Sequence, residues 1–344
     1  MKQLEVLHRP VAKLVISEQI SVCFEDIPGF AHWREMRLIR RRSKHDLLFY
    51  IREDGGSELA LRIMAEHSYD YYCSCFHFQK QINRQLKNDD SIVSDDGYEL
   101  RFGVCGKSQV VYFLMCWQHD RCFNEIVHNL SFHDKIRPAA AAAAHLKAVE
   151  KIVPREGLVR FSDSDEDKWF KHIEKRYKMV RSHLKYYNRD IAAFSHFEQY
   201  YQTNKHLLSG RSLAVCYKSF CPGSWYYQTD GTVRVPLITE WIRGDSWYSL
   251  NRLFTDIHTS SEDLAVLLVD SYFDFDPPEE FFACCVIYSM LQLLEELVCQ
   301  LQSGNTEAQP LLRRIRAIDR MFGRFTVMVP QWYKKIELAS LFDS

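Results

Sequence analysis

The chain has 344 residues and a mass of 40.7 kDa, enough for two domains that each bury a core of their own. Hydrophobic residues make up 47% and charged residues 26%, and 44 Lys plus Arg balance 45 Asp plus Glu, so composition advertises neither a membrane nor a nucleic-acid partner. The 11 cysteines are odd in number, scattered and without paired zinc-ligand spacing; they read as reduced, mostly buried thiols of a cytoplasmic protein.

The N-terminal residues alternate polar and apolar types with no signal-peptide core, and no window is read as approaching the roughly 20 apolar residues of a membrane helix. Residues 1–116 have a strand texture. Short apolar runs at 11–16, 47–51, 59–64 and 110–115 are separated by turn signals, among them Asp54-Gly55-Gly56 and Asp95-Asp96-Gly97. Residues 69–86 break that texture, since Tyr72, Phe76, Gln79, Ile82 and Leu86 recur at helical spacing.

Beyond Trp117 the texture turns helical. An alanine run predicts a helix over 138–152, and the acidic stretch Ser162–Asp167 (SDSDED) precedes a helix over 168–186. A further helix is expected over 190–208, followed by a strand–turn–strand stretch over 213–241. Helices over 262–273, 278–302 and 308–322 complete the chain, the second announced by Pro277-Pro278-Glu279-Glu280. The expectation is an α+β fold with a β-rich lobe over 1–116 and a mainly helical lobe over 117–344.

Several segments in this order resemble the aminoglycoside and choline-type phosphotransferases of the protein-kinase-like fold. Ile27-Pro28-Gly29 with Trp33, Tyr50-Ile51 and Leu61-Arg62-Ile63 resemble that family's opening strands, and residues 111–117 its hinge strand. Residues 145–152 resemble one of its helices. Gly244-Asp245-Ser246-Trp247 with Asn251-Arg252 is similar to its Gly-Asp-Pro-Trp segment, and residues 277–282 to its late helix start. The resemblance implies a bilobal kinase-like fold and, as ligands, ATP or GTP with Mg2+.

It also implies a site, from which this sequence departs. The family's catalytic loop carries an Asp that takes the substrate proton and an Asn that helps hold magnesium; here those positions hold Ser219 and Ser224, within residues 217–224. A neutral serine is no base near pH 7 and a poor magnesium ligand. The second metal carboxylate aligns with Thr239, or with Glu240 if the register slips by one residue, and both alignments stand. Arg62 takes the place of the phosphate-clamping Lys, His77 that of its helical Glu partner, and Trp117 lies in the hinge of the nucleotide site. Residues 40–45 (RRRSKH) replace a glycine-rich phosphate-covering loop, where large side chains would block the approach of backbone amides to phosphate.

Three functions follow from these residues. The first is a pseudokinase, retained for ligand binding, scaffolding or regulation without phosphoryl transfer. The second is an active small-molecule phosphotransferase, or another transferase, with chemistry relocated to Glu240 or Asp245. The third is an interaction module that meets a protein partner or a small molecule through the basic stretch 37–44 or through Trp225, Tyr226 and Tyr227. Neither nucleic acid nor membrane is an expected partner, and Cys216 and Cys221 read as structural thiols.

Overall fold

The computed structural model describes residues 13–17, 20–43, 46–65, 67–87, 101–105, 110–116, 121–152, 168–187, 192–227, 231, 233–234, 240–303 and 308–333. They fall into two compact units, one over residues 13–116 and one over residues 121–333.

Alternation builds the first unit. After a hairpin of β1 (Lys13–Ser17) and β2 (Ile20–Cys23), five strands form one antiparallel sheet: β3 (Trp33–Ser43), β4 (Asp46–Glu53), β5 (Glu58–Met64), β6 (Arg101–Val104) and β7 (Val111–Cys116), in the order β3-β4-β5-β7-β6. Every second residue reaches one core: Leu47, Phe49 and Ile51 from β4, Leu61 and Ile63 from β5, Tyr112 and Leu114 from β7. Val22, Phe24, Ile27, Trp33 and Met36 complete that core. The turn between β4 and β5 is the expected Asp-Gly-Gly, with Gly56 at φ +84°, a conformation that suits glycine.

Helix α1 (Tyr69–Lys87) buries Tyr72, Cys75, Phe78 and Ile82, and Tyr72 meets Phe113 of β7 edge-on at 6.4 Å. The expected phosphate-covering loop over 40–45 is largely strand. Arg40, Arg41 and Ser43 pair with Leu48, Leu47 and Asp46, so β3 runs on to Ser43 and only two residues separate it from β4. The turn at 95–97 lies outside the described residues.

The second unit starts with β8 (Arg121–Cys122) and the short α2 (Phe123–Ile126), then α3 (Phe132–Glu150). That helix begins six residues before its expected start at Pro138. Ser131 and Asp134 form a reciprocal capping box that nucleates the turn earlier, and Pro138 is carried inside the helix. The buried alanines 139, 141, 142, 143 and 148 present a low surface on which another helix can pack closely.

Helices α4 (Lys168–Tyr186) and α5 (Ala192–Asn204) follow, α5 running into a 3₁₀ turn over Lys205–Leu208; the acidic stretch 162–167 lies outside the described residues. A π-helical turn, Leu253–Ile257, leads into the short α6 (His258–Ser260). The chain then forms α7 (Glu262–Tyr272), α8 (Glu279–Gln302) and α9 (Gln309–Met321), all within two residues of their expected bounds.

Helix α8 corrects one sequence expectation. By length and composition it could cross a membrane, contrary to the expectation that no window approaches a span. Of its apolar stretch 83% is buried inside the unit, so helices α4, α5 and α9 and the turns around Tyr248 and Phe254 supply the apolar surroundings a bilayer would. A central helix apolar on all sides has the same composition as a span.

The strand–turn–strand stretch is also rearranged. β9 (Leu213–Tyr217) pairs with β12 (Trp241–Asp245), whereas the aromatic exit forms β10 (Tyr226–Tyr227), between β8 and β11 (Val233–Arg234).

Candidate functional site

In the antiparallel register of β9 and β12, Tyr217 stands opposite Trp241 and Leu213 opposite Asp245. The loop that leaves Tyr217 is anchored at its root from several sides. Lys218 N–H donates to the Glu240 carbonyl at 3.2 Å, and the Lys218 carbonyl accepts from Asn251 Nδ2 at 3.0 Å. Tyr217 N–H donates to Ser249 Oγ at 3.1 Å, and its hydroxyl shares a 2.7 Å hydrogen bond with His145 Nε2. Burial pushes the His145 pKa down to about 3, so this imidazole is neutral at physiological pH.

The loop then rests on aromatic rings. Phe220 and Trp225 are fully buried with centroids 4.9 Å apart, and Trp225 stacks on Phe123 at 5.7 Å. The three consecutive aromatics thus divide: Trp225 belongs to the core, while Tyr226 and Tyr227 are half-buried on β10. Pro222–Ser224 closes the loop as one 3₁₀ turn in which Ser224 N–H and Oγ both donate to the Cys221 carbonyl, at 3.1 and 2.9 Å.

Ser219 is exposed, Ser224 half-buried with its proton directed at a carbonyl, and Glu240 exposed. Thr239 lies outside the described residues. Two neutral hydroxyls and one solvated carboxylate are a weak donor set for Mg2+, which favours several hard, charged oxygens in near-octahedral array. The described residues of the loop therefore do not fit a resident magnesium ion.

The acid that is deeply buried here is Asp245, at 1% exposure. It accepts from Arg211 Nε and Nη2 at 2.9 and 3.0 Å, from the Tyr288 hydroxyl at 2.7 Å and from Trp247 N–H at 3.2 Å. Trp169 Nε1 donates to Tyr288 in turn, and the Arg211 guanidinium lies 3.4 Å above the Trp247 ring. Neighbouring Glu150 is pushed up to about 7, first by burial and then by the charge of Asp245, and the Tyr272 hydroxyl bonds to its carboxylate. Cys216 points its thiol at the Asp245 and Gly244 carbonyls, and burial raises its pKa well above the ordinary range, so it is no nucleophile.

In the first unit Arg62 donates from Nε and Nη2 to the two carboxylate oxygens of Asp46, at 2.9 and 2.7 Å. One partner of this arginine is thus a strand residue. His77 is half-buried on α1, beside Phe76 at 5.8 Å between centroids, and two residues from Cys75 it sits about 200° around the helix from that buried position. Trp117 lies outside the described residues.

Sequence reasoning missed Asp46, Arg211, Tyr288 and Glu150. A signal existed for one of them: a buried Asp in a Gly-Asp strand end requires a cation, and Arg211 stands two residues before the strand that pairs with it.

No family model matches the chain, and no curated protein matches it in sequence. Its fold is shared with solved structures. The GDP complex of a point mutant of an aminoglycoside 2′-phosphotransferase superposes with a TM-score of 0.64 at 11% identity, covering 86% of this chain and 96% of that one. A thermostable mutant aminoglycoside phosphotransferase bound to AMP-PNP and hygromycin B gives 0.57 at 14% identity, over 86% and 96%. A choline/ethanolamine kinase family protein from Mesorhizobium loti gives 0.55 at 15% identity, over 88% and 94%. The chain has the bilobal, protein-kinase-like fold of the aminoglycoside phosphotransferases.

Proposed function

We propose that this protein is a kinase-fold pseudoenzyme: it keeps the phosphotransferase scaffold for ligand binding, scaffolding or regulation and does not transfer phosphoryl groups through its loop. The observation that supports the reading most is the chemistry at 217–224: neutral hydroxyls stand where the resemblance puts base and metal ligand, and the Ser224 proton is committed to the Cys221 carbonyl. Loss of a general base alone costs about 10²–10⁴-fold in rate, and residues that act as a unit do not give additive losses. Relocated chemistry finds little support, because Asp245 is spent on Arg211 and Tyr288 and Glu240 lies in solvent.

This reading takes residues 1–116 and 117–344 as the two lobes, the cytoplasm as the location, and ATP or GTP as candidate ligands, since relatives in fold are solved with GDP or AMP-PNP. The test combines thermal unfolding with ATP or GTP, each with and without Mg2+, with labelled-phosphate transfer to water, an aminoglycoside and choline. The expected result is no transfer and no Mg2+-dependent rise in Tm, where a ligand at 100 times its Kd would add roughly 2.7 kcal/mol. Transfer to any acceptor together with a Mg2+-dependent rise overturns the proposal.

A further inference from the structure

Arg62 belongs to the face of β5 opposite Leu61 and Ile63, and its neighbour across the ladder is Leu48. One step along that face of β4 stands Asp46, the diagonal position that long side chains reach across antiparallel strands. The contact is a two-point fork, 2.9 Å from Nε to Oδ1 and 2.7 Å from Nη2 to Oδ2. Each side chain is only 12% exposed.

A planar guanidinium meets two phosphate oxygens with the same pair of parallel donors that it offers a carboxylate. Phosphate and Asp46 therefore compete for Nε and Nη2. Asp46 is not a loose competitor. It is paired on both sides, to Ser43 of β3 and to Met64 of β5, so its carboxylate is held beside the arginine at high effective concentration.

The geometry points to Asp46 as an internal anion: it fills the fork of Arg62, so the cation that stands where the resemblance puts a phosphate clamp is occupied by the protein's own carboxylate. Phosphate reaches Arg62 only when the pair opens. The inference rests on the proposed non-transferring reading and extends it to the first unit, where the change lies in a strand residue outside every motif.

The test uses the full chain with sodium tripolyphosphate as probe. Asp46→Asn keeps the shape and removes the competing charge. It is expected to bind tripolyphosphate at least tenfold more tightly than the natural chain by calorimetry, and Arg62→Met added to it is expected to abolish the gain. No gain in folded Asp46→Asn, or a gain that survives Arg62→Met, overturns the inference. Should Asp46→Asn fail to fold, the Arg62 Nε–H resonance of the natural chain decides: unmoved by tripolyphosphate equimolar with the protein supports the internal anion, and a shift that already saturates at that ratio overturns it. Transfer of phosphate with Arg62 unmoved sinks only the pseudoenzyme reading. A shift without transfer sinks only this one.

Discussion

Asp245 accepts four hydrogen bonds from Arg211, Tyr288 and Trp247, while Ser219, on the loop after β9, is exposed. The two residues should respond to substitution to very different degrees. Asp245→Asn leaves the Arg211 charge stacked on Trp247 without its counter-ion and is expected to cost about 3–5 kcal/mol in urea unfolding. Arg211→Met on top of Asp245→Asn removes the uncompensated charge and should recover part of that loss. Ser219→Ala has no buried partner to strand and should lie within about 0.5 kcal/mol of the natural chain. If Asp245→Asn were as mild as Ser219→Ala, the acid would be free for chemistry and the structural assignment of Asp245 would be wrong.

Elements are where the sequence was most legible. The period-2 runs of β4, β5 and β7 and the helices α7, α8 and α9 lie close to where spacing and proline or acidic starts predict them, because each depends on its own residues. What was hidden depends on distant partners. The pairing of β9 with β12 spans more than twenty residues of chain, and local pattern favours the nearer aromatic run. The early start of α3 was readable in principle from Ser131-x-x-Asp134, but Pro138 drew the boundary to itself. At the loop, the resemblance directs attention to Ser219 and Ser224, whereas nothing in the sequence directs it to Asp46, since a lone acid before an apolar strand signals nothing until the register is known. Gly244 on β12 is likewise set by a distant partner, since an added Cβ would stand 2.4 Å from the ring of Trp169 on α4. Gly244→Ala should therefore cost about 1–3 kcal/mol through overpacking, measured as a lowered urea midpoint, and pairing it with Trp169→Phe should relieve part of the cost. An Ala as stable as Gly would mean that Trp169 does not press on β12.

At the scale of the whole molecule, two buried groups pull stability in opposite directions with pH. His145 falls from 6.5 when unfolded to about 3 when folded, so its contribution is complete above about 6.5 and is lost as pH falls through that window. Glu150 rises from 4.5 to about 7, so the folded state is penalised increasingly as pH climbs between those values, with the full penalty above about 7. Between roughly 4.5 and 6.5 one gain with pH offsets the other loss, so these two groups together give the natural chain little slope. Glu150→Gln separates them: Gln cannot ionise and can still bond to the Tyr272 hydroxyl. Its advantage over the natural chain should be near zero at pH 4, grow through pH 5 and 6, and level off above pH 7 at about 3 kcal/mol, the worth of the Glu150 displacement. Urea midpoints of both proteins across that range would show the growth directly. A constant difference at every pH would mean that Glu150 ionises in the folded protein as it does in the unfolded chain, and that the polar centre beside Asp245 is wetter than its packing indicates.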